Sequence, residues 1–476
     1  MAHARTQTQT QMTEPEPEPE PEVAHVAHVM DNQDGLAIAL CIFPIGGRHD
    51  PPGKEGLCHL VEHMCFLKHK NFFDFIHQKA INASSNAATS PDYTYFHVHG
   101  PAGNREQIMN ALKDLAFDLE TSIMDIDDHE FQREHQVVVE ELRLSNARED
   151  SHIASALLSD LESVRGVYDR PIVGTEKSVF SITKQDAQEF YKSKLLASDF
   201  KVVVNIDSNH TKDVRSALAS SADWQEIARR RPKPHDPSLL VVAQNGSRVR
   251  DIVQSVLLPW KSRMKVLLVP DGLNQVAIGF PSVSAGDKLA RALDILAFSL
   301  GGGFTSVLYR ILRSILPITY KIDIASDTRA EDGYFLFKYS TSFPTTGAII
   351  ELILKTLTQV PQIISQKEFE LFRARYVTQL QIQNITPMSH TINVAEMLVT
   401  REVPTSLVEE YANVSYASYV EACNAVLSMD RVHVYLRNSE SSMLKHKSVL
   451  SRSSPHSGRS RKVESAKQRR SSQSCV

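Results

Sequence analysis

With 476 residues, 42% of them apolar, and a formal net charge of −4, the chain is too long for one ordinary domain and too evenly charged for a dedicated nucleic-acid binder. No apolar run approaches the roughly 18 to 20 residues that span a bilayer, and the N-terminus has the pattern of neither a signal nor a transit peptide, so an intracellular protein is expected, with the cytoplasm favoured over an organelle. The cysteines Cys41, Cys58, Cys65, Cys423 and Cys475 are scattered without paired spacing, which argues against a disulfide framework or a zinc finger.

In chain order, residues 1–25 carry a Gln/Thr tract and EPEPEPEPE, a composition that cannot bury a core and is expected to be disordered. A first domain is expected over 26–215. Gly35 to Gly46 (GLAIALCIFPIG) reads as a buried strand, and the Pro51-Pro52-Gly53 turn separates it from an apolar helix. Thr94, Phe96 and Val98 alternate with Tyr95, His97 and His99, as one strand should. Helical patterns follow at Arg105–Glu120, Ile126–Arg148 and Ile153–Val164, and KVVVNI at 201–206 is a strand that closes the unit.

Residues 216–265 include the polar, proline-containing RRRPKPHDPS and are expected to connect two domains. A second domain is expected over 266–437, with a strand at Asn274–Phe280, an apolar helix at Lys288–Leu300, and strands at Thr319–Ile324 and Tyr334–Tyr339. Strand, helix, strand, strand thus repeats, without His or Glu at metal spacing in the second copy. Residues 438–476 read as a basic, Ser-rich flexible tail.

The chemistry concentrates in GLCHLVEHMCF at 56–66. His59, Glu62 and His63 stand at i, i+3 and i+4, which puts both imidazoles on one helix face with a carboxylate beside them. Flanking Leu57, Leu60, Val61, Met64 and Phe66 would bury this helix, and buried ionisable groups need a partner; a cation would satisfy all three. Catalytic zinc takes three protein ligands and leaves a fourth position open, so a further acid is needed. The segment FQREHQVVVEELRLS offers Glu134, Glu140 and Glu141.

These residues resemble the inverzincin peptidases, the family of pitrilysin, insulin-degrading enzyme and mitochondrial processing peptidase. The resemblance implies an α+β fold of two related domains, each a mostly antiparallel β-sheet packed with α-helices. It further implies zinc endopeptidase activity on peptides or unfolded polypeptide segments, with one Zn²⁺ per chain. On this resemblance His59, His63 and Glu141 are the ligands, Glu62 is the general base, and Glu134, seven residues before Glu141, supports the site. Arg133 stands seven before Glu140, which is expected instead to be a surface ion-pairing residue.

SSNAATSPDYTY is similar to the family's substrate-holding strand, which implies main-chain contacts at Asn86 and Ala87. LGGGFTSVLYRILRSILPITY resembles the glycine-rich segment with Arg and Tyr seven apart, here Arg313 and Tyr320, which contact substrate and steady the transition state. Lys68-His69, Pro317-Ile318 and Cys58 depart from the usual pattern without removing a ligand. The resemblance also implies a homodimer, or a heterodimer with a related subunit; charge and hydropathy make neither nucleic acid nor a membrane span expected. The alternative function is a non-catalytic core or partner subunit of a processing-peptidase-like complex. His97 and His99 are expected to be a polar strand face, and His25 and His28 to precede the fold.

Overall fold

The computed structural model describes residues 27–67, 82–117, 123–147, 157, 168, 170–230, 263–269, 272–343, 347–400 and 406–439. The expected N-terminal tract, most of the connecting segment and tail, the helix expected at 153–164 apart from Leu157, Lys68-His69 and Cys475 lie outside them.

Each half is built on a five-stranded sheet. The first contains β1 (Ala27–Asn32), β2 (Leu36–Phe43), β3 (Ser84–Thr89), β4 (Thr94–Pro101) and β5 (Lys201–Asp207), in the order β1-β5-β2-β4-β3. The second contains β6 (Met264–Val269), β7 (Asn274–Ser282), β8 (Ile322–Thr328), β9 (Gly333–Thr341) and β10 (His433–Ser439), in the order β6-β10-β7-β9-β8. The same order recurs, and in both sheets only the first pair is parallel. The expected two-domain α+β architecture is therefore the one observed.

In the first half α1 (Leu57–Leu67), α2 (Arg105–Ala116) and α3 (Asp128–Ala147) accompany the sheet. The continuous apolar run of β2 has a physical reason: both of its faces are covered. Ala37, Ala39, Cys41 and Phe43 enter the core shared with α1 and α2. Leu40 and Ile42 point the other way, against Val394, Ala395 and Met397 of a second-half helix spanning Pro387–Thr400. Cys41, Cys58, Cys65 and Cys423 are buried, and among the described residues none of them forms a disulfide.

Polar contacts tie the two halves together. Asp92, in the β3–β4 turn, pairs with Arg48 at 2.8 Å, accepts the Tyr168 hydroxyl at 2.6 Å and accepts the Ala330 N–H at 3.1 Å. Asn205 donates to the Pro387 carbonyl at 3.2 Å and the Thr391 hydroxyl at 3.0 Å. The turn that ends the edge strand β3 is thereby fixed from both sides.

Four expectations are corrected. The first core continues past residue 215, because helices at Thr211–Ser220 and Ala222–Arg230 bury Val214, Leu218, Trp224, Ile227 and Ala228 in it. His28 lies inside the fold, half-buried in β1 opposite Val203, since parallel pairing with β5 draws the chain in before the apolar pattern begins. The strand expected at Thr319–Ile324 runs instead from Ile322 to Thr328; Thr319 turns the chain by donating its hydroxyl to the Lys321 and Ser340 carbonyls. Asn438 and Ser439 belong to β10 rather than the tail, and the Ser439 N–H is held by Asn274 Oδ1 at 2.8 Å.

Candidate metal centre

Helix α1 divides its residues by face. Leu57, Leu60, Val61, Met64 and Cys65 are buried in the core, and His59, Glu62 and His63 occupy the side toward α3 and β3. Its start is fixed by Asp50, whose buried carboxylate accepts from the Gly56 N–H at 2.7 Å and the Cys58 N–H at 2.8 Å. Burial pushes the Asp50 carboxyl up to about 7 against those bonds. Gly56 has φ +95°, a left-handed conformation that favours glycine, and a Cβ there would lie 2.9 Å from the Val173 carbonyl. Sequence reasoning missed Asp50; the available signal was an acid in the turn ahead of a helix start.

Helix α3 brings the acids. Glu134 and Glu141 are seven residues apart, close to two turns, and so share one face. The Glu141 Oε2 lies 3.4 Å from His63 Nε2 and 3.7 Å from His59 Nε2. One donor atom from each of the three lies within 4.8 Å of the others, and among the described residues this is the group that could hold a metal ion. Zinc bonds of about 2.0 to 2.1 Å give tetrahedral edges of roughly 3.3 to 3.4 Å, so the donors stand close to the spacing zinc requires. Among the described residues the buried His59 Nδ1 has no hydrogen-bond partner, while Nε2 of the same ring is the atom that faces Glu141 and His63. The donor set therefore fits zinc.

Charge agrees with geometry. Burial, then the neighbouring His63, holds His59 down at about 4, which keeps it in the neutral form that ligates metal. Burial also opposes protonation of His63, but the Glu134 hydrogen bond and the charges of Glu62, Glu134 and Glu141 outweigh it and raise its pKa. Glu134 Oε1 lies 2.8 Å from His63 Nδ1, leaving Nε2 facing Glu141; such a partner fixes ring orientation and ligand basicity. Glu62 is buried and its carboxyl raised by that burial, while Thr89 donates to its Oε2 at 2.5 Å. Glu140 points away and pairs with Arg143 at 2.6 Å on the surface, as expected of it.

The remaining sequence candidates fall in two places. Asn86 and Ala87 lie on β3, the sheet edge beside α1, where the Ala87 N–H is capped by the Asn86 side chain at 3.0 Å. Arg313 and Tyr320 are together in the second half, with the guanidinium carbon 4.4 Å from the Tyr320 ring centre, 4.9 Å from Tyr309 and 5.2 Å from Phe304. Tyr320 is 79% exposed, and among the described residues the ring contacts of Arg313 are all to second-half aromatics, with no contact between this pair and His59 or His63. His97 and His99 form a ring ladder with Tyr95 on the other face of β4; His97 is buried and held at about 4 by burial, then by His99.

Comparison with known proteins shows the family and the fold. Residues 25–172 match the model for insulinase (peptidase family M16), and residues 181–376 match that for the M16 inactive domain. The chain belongs to peptidase family M16. An uncharacterized zinc protease of Rickettsia felis is 24% identical over 358 residues, covering 73% of this chain and 77% of that protein. A protease from Helicobacter pylori has the same fold, with a TM-score of 0.67 at 17% identity over 87% of this chain and 96% of the other. A chain of complex III from Candida albicans matches at a TM-score of 0.65 and 13% identity, covering 89% of this chain and 95% of that one. Among the described residues of this M16 member, no helix is long and apolar enough to cross a membrane.

Proposed function

We propose that this M16 protein is a zinc-dependent endopeptidase acting on peptides or unfolded polypeptide segments. The observation that carries the reading is the convergence of His59 Nε2, His63 Nε2 and Glu141 Oε2 beside the buried carboxylate of Glu62. His59, His63 and Glu141 would hold one zinc per chain. Bound there, zinc supplies Lewis-acid chemistry that can bring the pKa of water down to about 7. Glu62 takes the proton of the attacking water and returns it to the leaving amine. Its buried surroundings favour the proton-carrying form between those two transfers. Glu134 keeps His63 oriented throughout.

The substrate enters as an extended strand along the free edge of β3, where the Asn86 side chain gives up the Ala87 N–H to the incoming backbone. Because Arg313 and Tyr320 contact only their own half among the ring contacts described, we assign them to the site of a second copy, where they meet developing oxyanion charge. A homodimer then builds two sites across its interface, although pairing with a related subunit would serve equally. Mixing Glu62→Gln with Arg313→Ala protein should restore up to about a quarter of wild-type activity, because half the dimers are mixed and half their sites are intact. No recovery despite subunit exchange would contradict a shared site.

The test of the activity itself is turnover of an unstructured peptide before chelation, after it, and after zinc is restored. Loss and recovery that follow zinc are expected. Turnover indifferent to the chelator would contradict a zinc-dependent mechanism, and none at full zinc occupancy would favour the non-catalytic subunit, a reading the complete donor set disfavours.

A further inference from the structure

The edge strand meets the metal helix through two hydroxyls. Thr89 of β3 and Thr94 of β4 stand directly opposite each other in the ladder. They reach α1 side chains four residues apart, which in a helix lie one above the other. The Thr94 hydroxyl lies 3.2 Å from Cys58 Sγ and donates to the Ile45 carbonyl at 2.9 Å. The Thr89 hydroxyl donates to Glu62 Oε2 at 2.5 Å. One cross-strand pair thus sets the register of one helix face, with Thr94 engaged by structure and Thr89 by the proposed base.

A glutamate has three side-chain torsions to order, and a β-branched threonine is stiff at its first. We propose that Thr89 is a positioning residue: by holding Glu62 Oε2 it leaves Oε1 as the oxygen that exchanges the proton with water and leaving amine. Since the backbone of Thr89 belongs to the strand that receives substrate, docking a peptide on β3 and aiming the base become one event. Positioned groups of this kind act on the chemical step more than on binding. The inference rests on the reading of Glu62 as general base.

The experiment compares full-length wild type with Thr89→Val, Thr89→Ser and Thr94→Val, measuring zinc per chain, melting temperature, and kcat and KM on one unstructured peptide. The zinc-free Thr89→Val protein is also crystallised. Expected for Thr89→Val are one zinc per chain, KM within about twofold, and kcat lowered at least about tenfold, with the Glu62 carboxylate away from its wild-type position in the crystal. Thr89→Ser should recover kcat to within about threefold. Thr94→Val should lower the melting temperature without the selective loss in kcat. Wild-type kcat in Thr89→Val, a serine variant no better than valine, loss of zinc, or an unmoved Glu62 would each overturn the proposal. Failure of the underlying reading shows separately, as a Glu62→Gln protein that remains active or a wild type that cleaves nothing.

Discussion

The metal helix α1 and its counterpart in the second half, Ala290–Gly301, occupy the same place between equivalent strands, yet their buried polar groups are arranged to opposite ends. In the first half, His59, His63 and Glu141 turn donor atoms toward one another. In the second, Asp294 is closed into a network: it accepts the Tyr411 hydroxyl and lies 3.5 Å from Arg291, which also pairs with Glu410 at 2.8 Å. A cavity of about 650 Å³ lies beside that helix, lined by Asp294, Asp323, Ser326 and Tyr376, and among the described residues no cluster of three metal donors faces it. A duplicated fold thus fixes where a cleft can be; whether the cleft holds a metal depends on a few side chains whose bonding is either left open or completed internally.

The contrast breaks most sharply at the first-half helix. Glu62→Gln should keep about one zinc per chain and lower hydrolysis by about 10² to 10⁴-fold, whereas His59→Ala or His63→Ala should lose the metal, as read by metal analysis and peptide turnover. Retained turnover in Glu62→Gln would show that this carboxylate is not the base. Next in size is the acid on α3. Glu141→Gln should weaken zinc binding far more than Glu140→Gln, whose side chain only pairs with Arg143, and Glu134→Gln should fall between them, with a loss of about 10 to 100-fold. Equal effects at 140 and 141 would remove the distinction drawn from the geometry.

The smallest effect belongs to the second half. Burial pushes the Asp294 carboxyl up to about 6, with the Tyr411 bond and Arg291 opposing. The folded value exceeds the roughly 3.9 of an unfolded aspartate, so the folded state binds the proton more tightly. That contribution is complete below about pH 4 and is lost as pH rises through about 6. Asp294→Asn should therefore flatten the decline of melting temperature across this window without altering zinc content. An unchanged slope would show that this acid does not distinguish the halves.

Much of this was legible in the sequence because the signals are periodic. The i, i+3, i+4 spacing put His59, Glu62 and His63 on one helix face, and the seven-residue spacing put Glu134 beside Glu141. Strand alternation identified β4, and the apolar run identified β2. Contacts made across sequence distance left no such trace. Thr89 is 27 residues from Glu62, and nothing in SSNAATS marks its hydroxyl as the one that meets the base. The Pro387–Thr400 helix is amphipathic in an ordinary way, and only the fold reveals that its apolar side covers the first sheet. The β8 boundary was misjudged because an edge strand continues through the polar Ser326, Asp327 and Thr328 as readily as through apolar residues.

In the proposed site the first half alone carries the metal, between three named atoms. An anomalous difference map recorded above and below the zinc absorption edge, on crystals grown with zinc, tests it most directly. One strong peak per chain is expected, within bonding distance of His59 Nε2, His63 Nε2 and a Glu141 carboxylate oxygen, with none in the Asp294 cleft. A map with no peak at the three donors, or with its main peak on Glu140 or in the second half, would contradict it.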